Sequence, residues 1–354
     1  MNLSEFDYYL PQELIAQEPV NPRDHSRLLV YNRQKKEITH SFFYNIIDFL
    51  KKDDLLFVNN SKVFKARILA RKESGGQVEI FLLKNINKEK NIWQCLIGGK
   101  VKPGFKLFFN DIFLAKVLEK EDNTFFVSFS ENYLKFIKTL EKIGQTPLPP
   151  YIKRDEKNKK DDLNYQTVYA KEDKIGSSAA PTAGLHFTDE LLNKIEKKGI
   201  RIVEASLHVG LGTFLPIKVE NILEHKMHSE DIEISAETIN LIIEAKNKGR
   251  RIVAVGTTSC RILESLSSYL NFEKNGQIKK YQGDDLNFST DIFIYPGYNF
   301  RIVDCLLTNF HLPKSSLLLL VSALTGQGQA LNLYQEAVNL KYRFFSYGDA
   351  MLII

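Results

Sequence analysis

Residues 236–259 read AETINLIIEAKNKGRRIVAVGTTS and combine a helical pattern, a glycine and a short apolar strand. The helical pattern ends at Gly249, and the strand that follows has the apolar core VAV at residues 253–255. Residues 187–209, FTDELLNKIEKKGIRIVEASLHV, show the same order of helix, glycine and strand. A strand that is apolar on both faces is typical of a parallel sheet covered by helices. The two stretches therefore predict an α/β fold.

A different pattern occupies residues 66–130, where short β-type segments are separated by glycine pairs such as Gly75-Gly76 and Gly98-Gly99. The segments are ARILARK, QVEIFLLK, NIWQCLIG, FKLFF, IFLAKVLEK and TFFVSFS. Closely spaced strands with glycine-rich turns predict a small antiparallel barrel or sandwich.

The α/β pattern lies on both sides of these segments, because the strands RLLVYN and DLLFVNN precede them. The length of 354 residues also favours two domains over one. We therefore predict a larger α/β domain formed by residues 1–64 and 144–354. A small antiparallel β-barrel domain, residues 65–143, is inserted into it.

Composition and charge exclude some classes of protein. The net charge of +5 suits a partner that carries phosphates, although many proteins with such a charge bind none. The three cysteines form no CxxC pair, which indicates a reducing compartment and no cysteine zinc site. The N-terminus lacks a signal peptide pattern, and the apolar run at residues 317–320 is too short to span a bilayer. We expect a cytoplasmic protein without a membrane segment.

The familiar phosphate-binding loops are missing, since the sequence has neither GxxxxGK[ST] nor GxGxxG after a strand. The candidate binding residues lie instead in polar segments between apolar strands. They are AAPTAGLHF (179–187), LHVGLGTF (207–214), HKMHSE (225–230), AVGTTS (254–259), TNFHLPKSS (308–316) and YRFFSYGDAM (342–351).

The segment AVGTTS follows a predicted strand, and in α/β domains ligands bind at the carboxyl ends of strands. The hydroxyls of Thr257, Thr258 and Ser259, with nearby backbone N–H groups, could hold a nucleoside or anionic oxygen. The alternative is that one of these hydroxyls caps the helix that follows.

Five of the seven histidines fall inside the polar segments, and histidine is the usual proton shuttle near neutral pH. They are His186, His208, His225, His228 and His311. Each one taken singly could be a hydrogen-bonded structural residue, but their collection in these loops favours a functional role for at least one. His225, His228 and Glu230 also allow a metal site, but no HExxH pattern or third ligand supports it, so no metal is expected.

Aromatic and basic residues alternate in KYRFFSY, residues 341–347, and an extruded nucleobase needs such stacking surfaces and cations. Phe344 and Phe345 could equally belong to the core. Asp349 could accept hydrogen bonds from a guanine-like edge or cap a turn beside Gly348.

In this order along the chain, these segments resemble the S-adenosylmethionine:tRNA ribosyltransferase-isomerase family. The motifs that carry the resemblance are DYYLPQELIAQEP, DLLFVNNSKVFKARI, PLPPYI, YQTVYA, AAPTAGLHF, LHVGLGTFLP, HKMHSE, AVGTTSCRILES, TDIFIYPGY, TNFHLPKSS and YRFFSYGDAM. The resemblance covers nearly the whole chain and is weakest across the predicted barrel. One departure is Gly176-Ser177-Ser178, where relatives often carry a small apolar residue.

The resemblance implies a two-domain enzyme that uses S-adenosylmethionine as a ribosyl donor and binds no permanent cofactor or metal. Its partner would be a tRNA that carries 7-aminomethyl-7-deazaguanine at the wobble position. The product would be epoxyqueuosine in the tRNA, with adenine and methionine released. We expect the enzyme to act as a monomer.

The chemistry would require a base near C5′ of S-adenosylmethionine and an acid or donor for the departing adenine. The candidates for these two roles, without assignment among them, are His186, His208, His228 and His311. The residues expected to bind the nucleoside are Thr182, Gly210, Thr213, Thr257, Thr258, Ser259 and Asn309. Those expected to bind the tRNA or a carboxylate are Arg261, Arg343 and Tyr347, and Asp349 is expected to bind the tRNA base.

Two other interpretations of the sequence remain open. One is a conventional S-adenosylmethionine methyltransferase, which is disfavoured because the glycine-rich loop after the first strand is missing. The other is a tRNA-binding module without catalysis, which is disfavoured by the number of polar loop segments in one domain.

Overall fold

The computed structural model describes residues 1–109, 112–154, 160–210 and 217–354. The strands within these ranges are β1 (Arg27–Asn32), β2 (Glu37–Phe42), β3 (Leu55–Asn59), β4 (Lys62–Val63), β5 (Arg67–Lys72), β6 (Gln77–Asn87), β7 (Ile92–Gly98), β8 (Lys106–Phe109), β9 (Phe113–Glu121), β10 (Thr124–Phe129), β11 (Ile175–Ser177), β12 (Arg201–Leu207), β13 (Glu230–Ile234), β14 (Ile252–Val255), β15 (Leu286–Thr290), β16 (Cys305–Asn309) and β17 (Ala350–Ile353). The helices are α1 (Ile46–Phe49), α2 (Tyr133–Ile143), α3 (Asp161–Asn164), α4 (Asp189–Lys197), α5 (Ala236–Asn247), α6 (Gly256–Leu266), α7 (Ser316–Thr325) and α8 (Gln327–Asn339).

Nine strands form one mixed sheet in the order β15-β13-β12-β3-β14-β16-β17-β1-β2. The four central strands β12, β3, β14 and β16 run parallel to one another. Every residue of β3, β14 and β16 is buried, as expected for strands covered on both faces. The carboxyl ends of the four strands therefore lie at one edge of the sheet.

The helices α4 and α5 begin at capping residues that the sequence supplies. The Thr188 hydroxyl accepts a hydrogen bond from the Leu191 amide at 3.2 Å, and the Ser235 hydroxyl accepts one from the Thr238 amide at 3.1 Å. Such caps satisfy amides that have no partner within the helix. Both helices are thus fixed at their N-terminal ends, and the chain leads from them into β12 and β14.

A closed barrel of six strands, β10-β7-β6-β5-β8-β9, lies between β4 and α2 in the chain. Each of the six segments predicted from the sequence forms one of its strands. Its buried residues form a core of their own, which α2 completes with Phe136 and Leu140. The predicted fold class, a larger α/β part with a small antiparallel barrel, is confirmed; the domain limits 1–64, 65–143 and 144–354 stay a prediction.

The two ends of the barrel insert lie side by side. The backbone N–H of Gln145 donates to the carbonyl of Arg67 at 2.8 Å, and the N–H of Arg67 donates to the carbonyl of Gln145 at 3.3 Å. Gly144 is so close to its neighbours that a Cβ there would lie 2.5 Å from the Lys65 carbonyl oxygen. Only glycine fits at this junction without movement of the backbone.

No helix in the four described ranges is long and apolar enough to cross a membrane.

We predict that Gly144→Ala lowers the free energy of unfolding by about 1–3 kcal/mol, because the added methyl group meets backbone atoms that cannot move independently. Urea denaturation of the purified variant measures the effect. Gly328→Ala is the matched control, since its Cβ would meet nothing within 4 Å and alanine favours the helix α8. A Gly144→Ala protein as stable as the wild type would show that the junction relaxes freely.

Candidate active site

A chain of hydrogen bonds holds the helical turn Thr182–His186 against the carboxyl end of β16. The Asn309 amide nitrogen lies 3.0 Å from His186 Nε2, and the Thr182 hydroxyl donates to Asn309 Oδ1 at 2.8 Å. His186 Nδ1 lies 2.7 Å from the Ser26 hydroxyl. Because the Asn309 amide donates to Nε2, the imidazole proton is assigned to Nδ1, which donates to Ser26. Three predicted site residues, Thr182, His186 and Asn309, are thus joined.

His186 is uncharged at neutral pH. Its burial, helped by the positive charges of Arg23 and Arg343, lowers its pKa to about 3. The ring also stacks on Phe43, with centroids 4.9 Å apart. A group with so low a pKa is a weak proton acceptor near neutrality. The geometry therefore favours a positioning role for His186.

His311 lies two residues beyond Asn309 and is also buried. Its Nε2 lies 2.7 Å from the Thr308 hydroxyl, and its backbone N–H donates to the Tyr334 hydroxyl at 3.2 Å. Burial lowers the pKa of His311 to about 3. Its contacts, like those of His186, hold the end of β16 in place.

The first turn of α6 carries hydroxyl groups that the structure leaves unpaired. The helix begins at Gly256 directly after β14, and no side chain caps it. Thr257, Thr258 and Ser259 lie inside the first turn, so the capping alternative is wrong. The Thr258 and Ser259 hydroxyls are buried and have no hydrogen-bond partner in the described part of the chain. A ligand oxygen would satisfy them, since buried polar groups are normally paired.

Arg261 lies one turn further along α6 and is buried rather than exposed at the surface. Its Nη1 forms an ion pair with Glu230, and its Nε donates to the Ile292 carbonyl at 3.3 Å. Its Nη2 is buried without a hydrogen-bond partner among the described residues. Glu230 also accepts a hydrogen bond from the Gly210 amide at 3.3 Å. A small cavity lies against Arg261, Thr257 and Thr258.

His208 follows β12 at the same edge of the sheet. Its Nε2 lies 3.5 Å from a carboxylate oxygen of Glu233, and its Nδ1 is buried without a partner within the described ranges. The hydrogen bond with His208, together with Lys174, lowers the pKa of Glu233 to about 2. An imidazole held by a carboxylate, with its other nitrogen free, is the usual arrangement of a general base.

The HKMHSE segment borders the small cavity through Met227, but its two histidines are not among the residues that line it. His228 is exposed, and His225 packs edge-on against Phe293 with ring centroids 5.2 Å apart. In the parts of the chain that the structure describes, no three His, Cys, Asp or Glu residues are grouped as metal ligands.

The C-terminal segment turns its polar groups inward. Both oxygens of Asp349 accept backbone N–H groups, from Arg27 at 2.9 Å and from Arg343 at 2.8 Å. Tyr347 is buried with its ring 5.9 Å from that of Tyr165, and Arg343 donates to the Glu18 carbonyl. These residues hold the end of the chain in place, and their predicted contact with tRNA stays a prediction.

An open cleft of about 650 Å³ was not predicted from the sequence. Its lining includes Arg23, Arg154 and Asp189, and none of the predicted site residues. Three separate stretches of chain form the cleft, so no local pattern could reveal it. The partners Ser26 and Glu233 were missed for the same reason, and the predicted residue Thr213 lies outside the described residues.

Comparison with known proteins identifies the family of the chain. The chain matches the family described as queuosine biosynthesis protein over residues 3–353. Proteins named S-adenosylmethionine:tRNA ribosyltransferase-isomerase from Thermosipho melanesiensis and Carboxydothermus hydrogenoformans are each 50% identical, over 100% of both chains. A crystal structure of S-adenosylmethionine tRNA ribosyltransferase from Thermotoga maritima is 37% identical with a TM-score of 0.55. That match covers 99% of this chain and 100% of the other.

The full-length relatives make this chain an enzyme of the transferase class. It belongs to the queuosine biosynthesis protein family. The resemblance found in the sequence motifs is thereby confirmed.

We predict that acid destabilises the protein between pH 6.5 and 5 through His186 and His311. In the unfolded chain each histidine takes up a proton near the ordinary pKa of 6.5, whereas in the folded protein it does so only near pH 3. The stabilisation is complete above pH 6.5 and is lost as the pH falls. Each histidine contributes up to about 1.4 kcal/mol per pH unit.

Urea denaturation of the wild type and His311→Gln at several pH values in this window measures the slope. Glutamine keeps a donor for Thr308 but does not titrate, so the variant should lose one histidine's share of the slope. Equal slopes in the two proteins would contradict the low pKa of His311.

Proposed function

We propose that this enzyme transfers and isomerises the ribosyl moiety of S-adenosylmethionine onto 7-aminomethyl-7-deazaguanine at the wobble position of tRNA. The products would be epoxyqueuosine in the tRNA, free adenine and methionine. S-adenosylmethionine would act as a co-substrate, with no permanently bound cofactor. A tRNA substrate implies a cytoplasmic location, and the monomeric state stays a prediction.

The observation that carries the proposal is the match over the full length of both chains to relatives of a single name, at 50% identity. A match of this extent includes both the α/β part and the inserted barrel. It therefore favours a transferase with the whole activity over a binding module.

The first turn of α6 supports a nucleoside site. The Thr258 and Ser259 hydroxyls, which have no partner in the ranges that the structure describes, lie at a helix N-terminus whose first amides have no partner within the helix. Arg261 Nη2, also without a partner in those ranges, suits the carboxylate of the methionine part. In this proposal Gly210 acts indirectly, because its amide holds the Glu230 partner of Arg261.

The four candidate histidines divide into three kinds. His186 and His311 would position the turn Thr182–His186 and the end of β16, because burial keeps them neutral. His208 would serve as the base, because Glu233 orients its ring and its Nδ1 has no hydrogen-bond partner among the described residues. His228 is exposed and has no such orienting partner among its described neighbours.

Product analysis tests the proposed reaction. The enzyme is incubated with S-adenosylmethionine and a tRNA that carries 7-aminomethyl-7-deazaguanine, and the small molecules are separated by chromatography. We expect equal amounts of adenine and methionine and a heavier tRNA. The control tRNA with unmodified guanine lacks the amine and should give no transfer. Release of S-adenosylhomocysteine would indicate a methyltransferase, and binding without any product would indicate a non-catalytic module.

We predict that His208→Gln lowers kcat by about 10²–10⁴-fold, the usual contribution of a general base. Glutamine still offers a donor to Glu233 but has no basic nitrogen, so KM for S-adenosylmethionine should change little. The control is His40→Gln on the outer strand β2, which should turn over normally. Normal kcat in the His208 variant would remove His208 from the reaction and leave the base to another group.

A further inference from the structure

Three aromatic rings are exposed in one row at an edge of the sheet. The rings of Phe42 and Tyr44 stack with planes 7° apart and centroids separated by 5.5 Å. The ring of His25 lies 5.1 Å from that of Tyr44. Phe42 is 45% exposed, Tyr44 is 38% exposed and the His25 side chain is 55% exposed. The row is therefore available to a partner.

The row lies next to the open cleft. Arg23, which lines the cleft, and His25 belong to one short helical turn, Arg23–His25. The Asp24 carboxylate in this turn accepts a weak hydrogen bond from Thr188, another residue of the cleft wall, at 3.5 Å. A ligand that extends out of the cleft past Arg23 would meet the rings.

Cations accompany the rings. Arg27 pairs directly with Phe42 across the strands β1 and β2, and its guanidinium lies 3.7 Å from the centre of the Tyr342 ring. Arg23 belongs to the same turn as His25, but its guanidinium donates to the Gln166 and Leu163 carbonyls, and the Asp24 carboxylate lies 3.1 Å from His25 Nδ1. Surfaces that combine aromatic faces with arginines are used to bind unpaired nucleic acid, because every base has a flat face that stacks. The positive charges suit the phosphates that connect the bases.

We propose that His25, Phe42 and Tyr44 form a stacking platform for unpaired bases of the RNA substrate, beside the open cleft. The proposal rests on the proposed function, since it requires tRNA as the substrate. It adds a binding surface formed by residues outside the polar segments of the sequence.

A second copy of the chain is the competing occupant, because β2 is the outermost strand of the sheet. RNA fits better for two reasons. The rings of Phe42 and Tyr44 are already stacked with nearly parallel planes, and Arg27 lies directly opposite Phe42 in the strand pairing. Self-association through the rings is the alternative that the test can reveal.

The test measures binding of two RNA probes to the full-length protein by fluorescence anisotropy. One probe is a stem-loop with an unpaired loop, and the other is a fully paired duplex of equal length. We expect the double variant Phe42→Ala, Tyr44→Ala to bind the stem-loop at least about tenfold more weakly and the duplex as the wild type does. The slope of affinity against salt should be unchanged, because no charge is removed.

Conservative variants separate stacking from general apolar contact. Phe42→Tyr should keep the affinity for the stem-loop, whereas Phe42→Leu should lose it. The matched control is Tyr269→Ala, since Tyr269 is 44% exposed and its ring lies 4.6 Å from that of Phe288 in β15, at the opposite edge of the sheet. Thermal unfolding confirms that each variant is folded.

If the double variant binds the stem-loop as tightly as the wild type, and the wild type is catalytically active, only the platform is overturned. A wild type that binds no RNA and releases no adenine would overturn the proposed function, and the platform with it. Unchanged RNA binding with a dimer that dissociates in the double variant, seen by analytical ultracentrifugation, would assign the rings to self-association instead.

Discussion

Parallel pairing of four central strands, three of them wholly buried, is the constraint on which the remaining structure depends. Parallel neighbours cannot be joined by a tight turn, so the chain must cross over through helices such as α4 and α5. All four carboxyl ends then lie at one edge, where the backbone leaves the sheet. Polar side chains collect there because the loops, unlike the strands, need partners for their backbone groups. The residues hydrogen-bonded to His186 and the residues at the start of α6 both lie at this edge.

Hydrogen-bond pairing distinguishes two kinds of buried polar group at that edge: those that support the structure and those available to a ligand. The chain Ser26–His186–Asn309–Thr182 pairs within the protein and fixes the local geometry. The hydroxyls at the start of α6 and one nitrogen of Arg261 do not pair among the described residues. An unpaired buried donor typically costs about 1–3 kcal/mol. A ligand oxygen bound at the start of α6 would give these groups the partners that buried polar atoms normally have.

The fold was predictable because its signals are local. Six barrel strands and the units of helix, glycine and strand each show their own periodicity within a short stretch. The site was predictable only as a set of segments. Ser26 and His186 are paired across a separation of 160 residues, and Arg261 and Glu230 across 31, and no local pattern encodes either contact. The sequence allows Asp349 either to bind a base or to cap a turn, and its two oxygens accept hydrogen bonds from backbone amides that only the folded chain brings to it.

The inserted barrel also sets the order in which partners become available during synthesis. The apolar strand β3 pairs with β12 and β14, and both follow the barrel in the chain. Barrel strands pair mostly with near neighbours, so their contacts close short loops and form early. A growing chain on the ribosome therefore holds a finished barrel while β3 is still unpaired. Because of the insertion, β3 must be protected from aggregation during that interval.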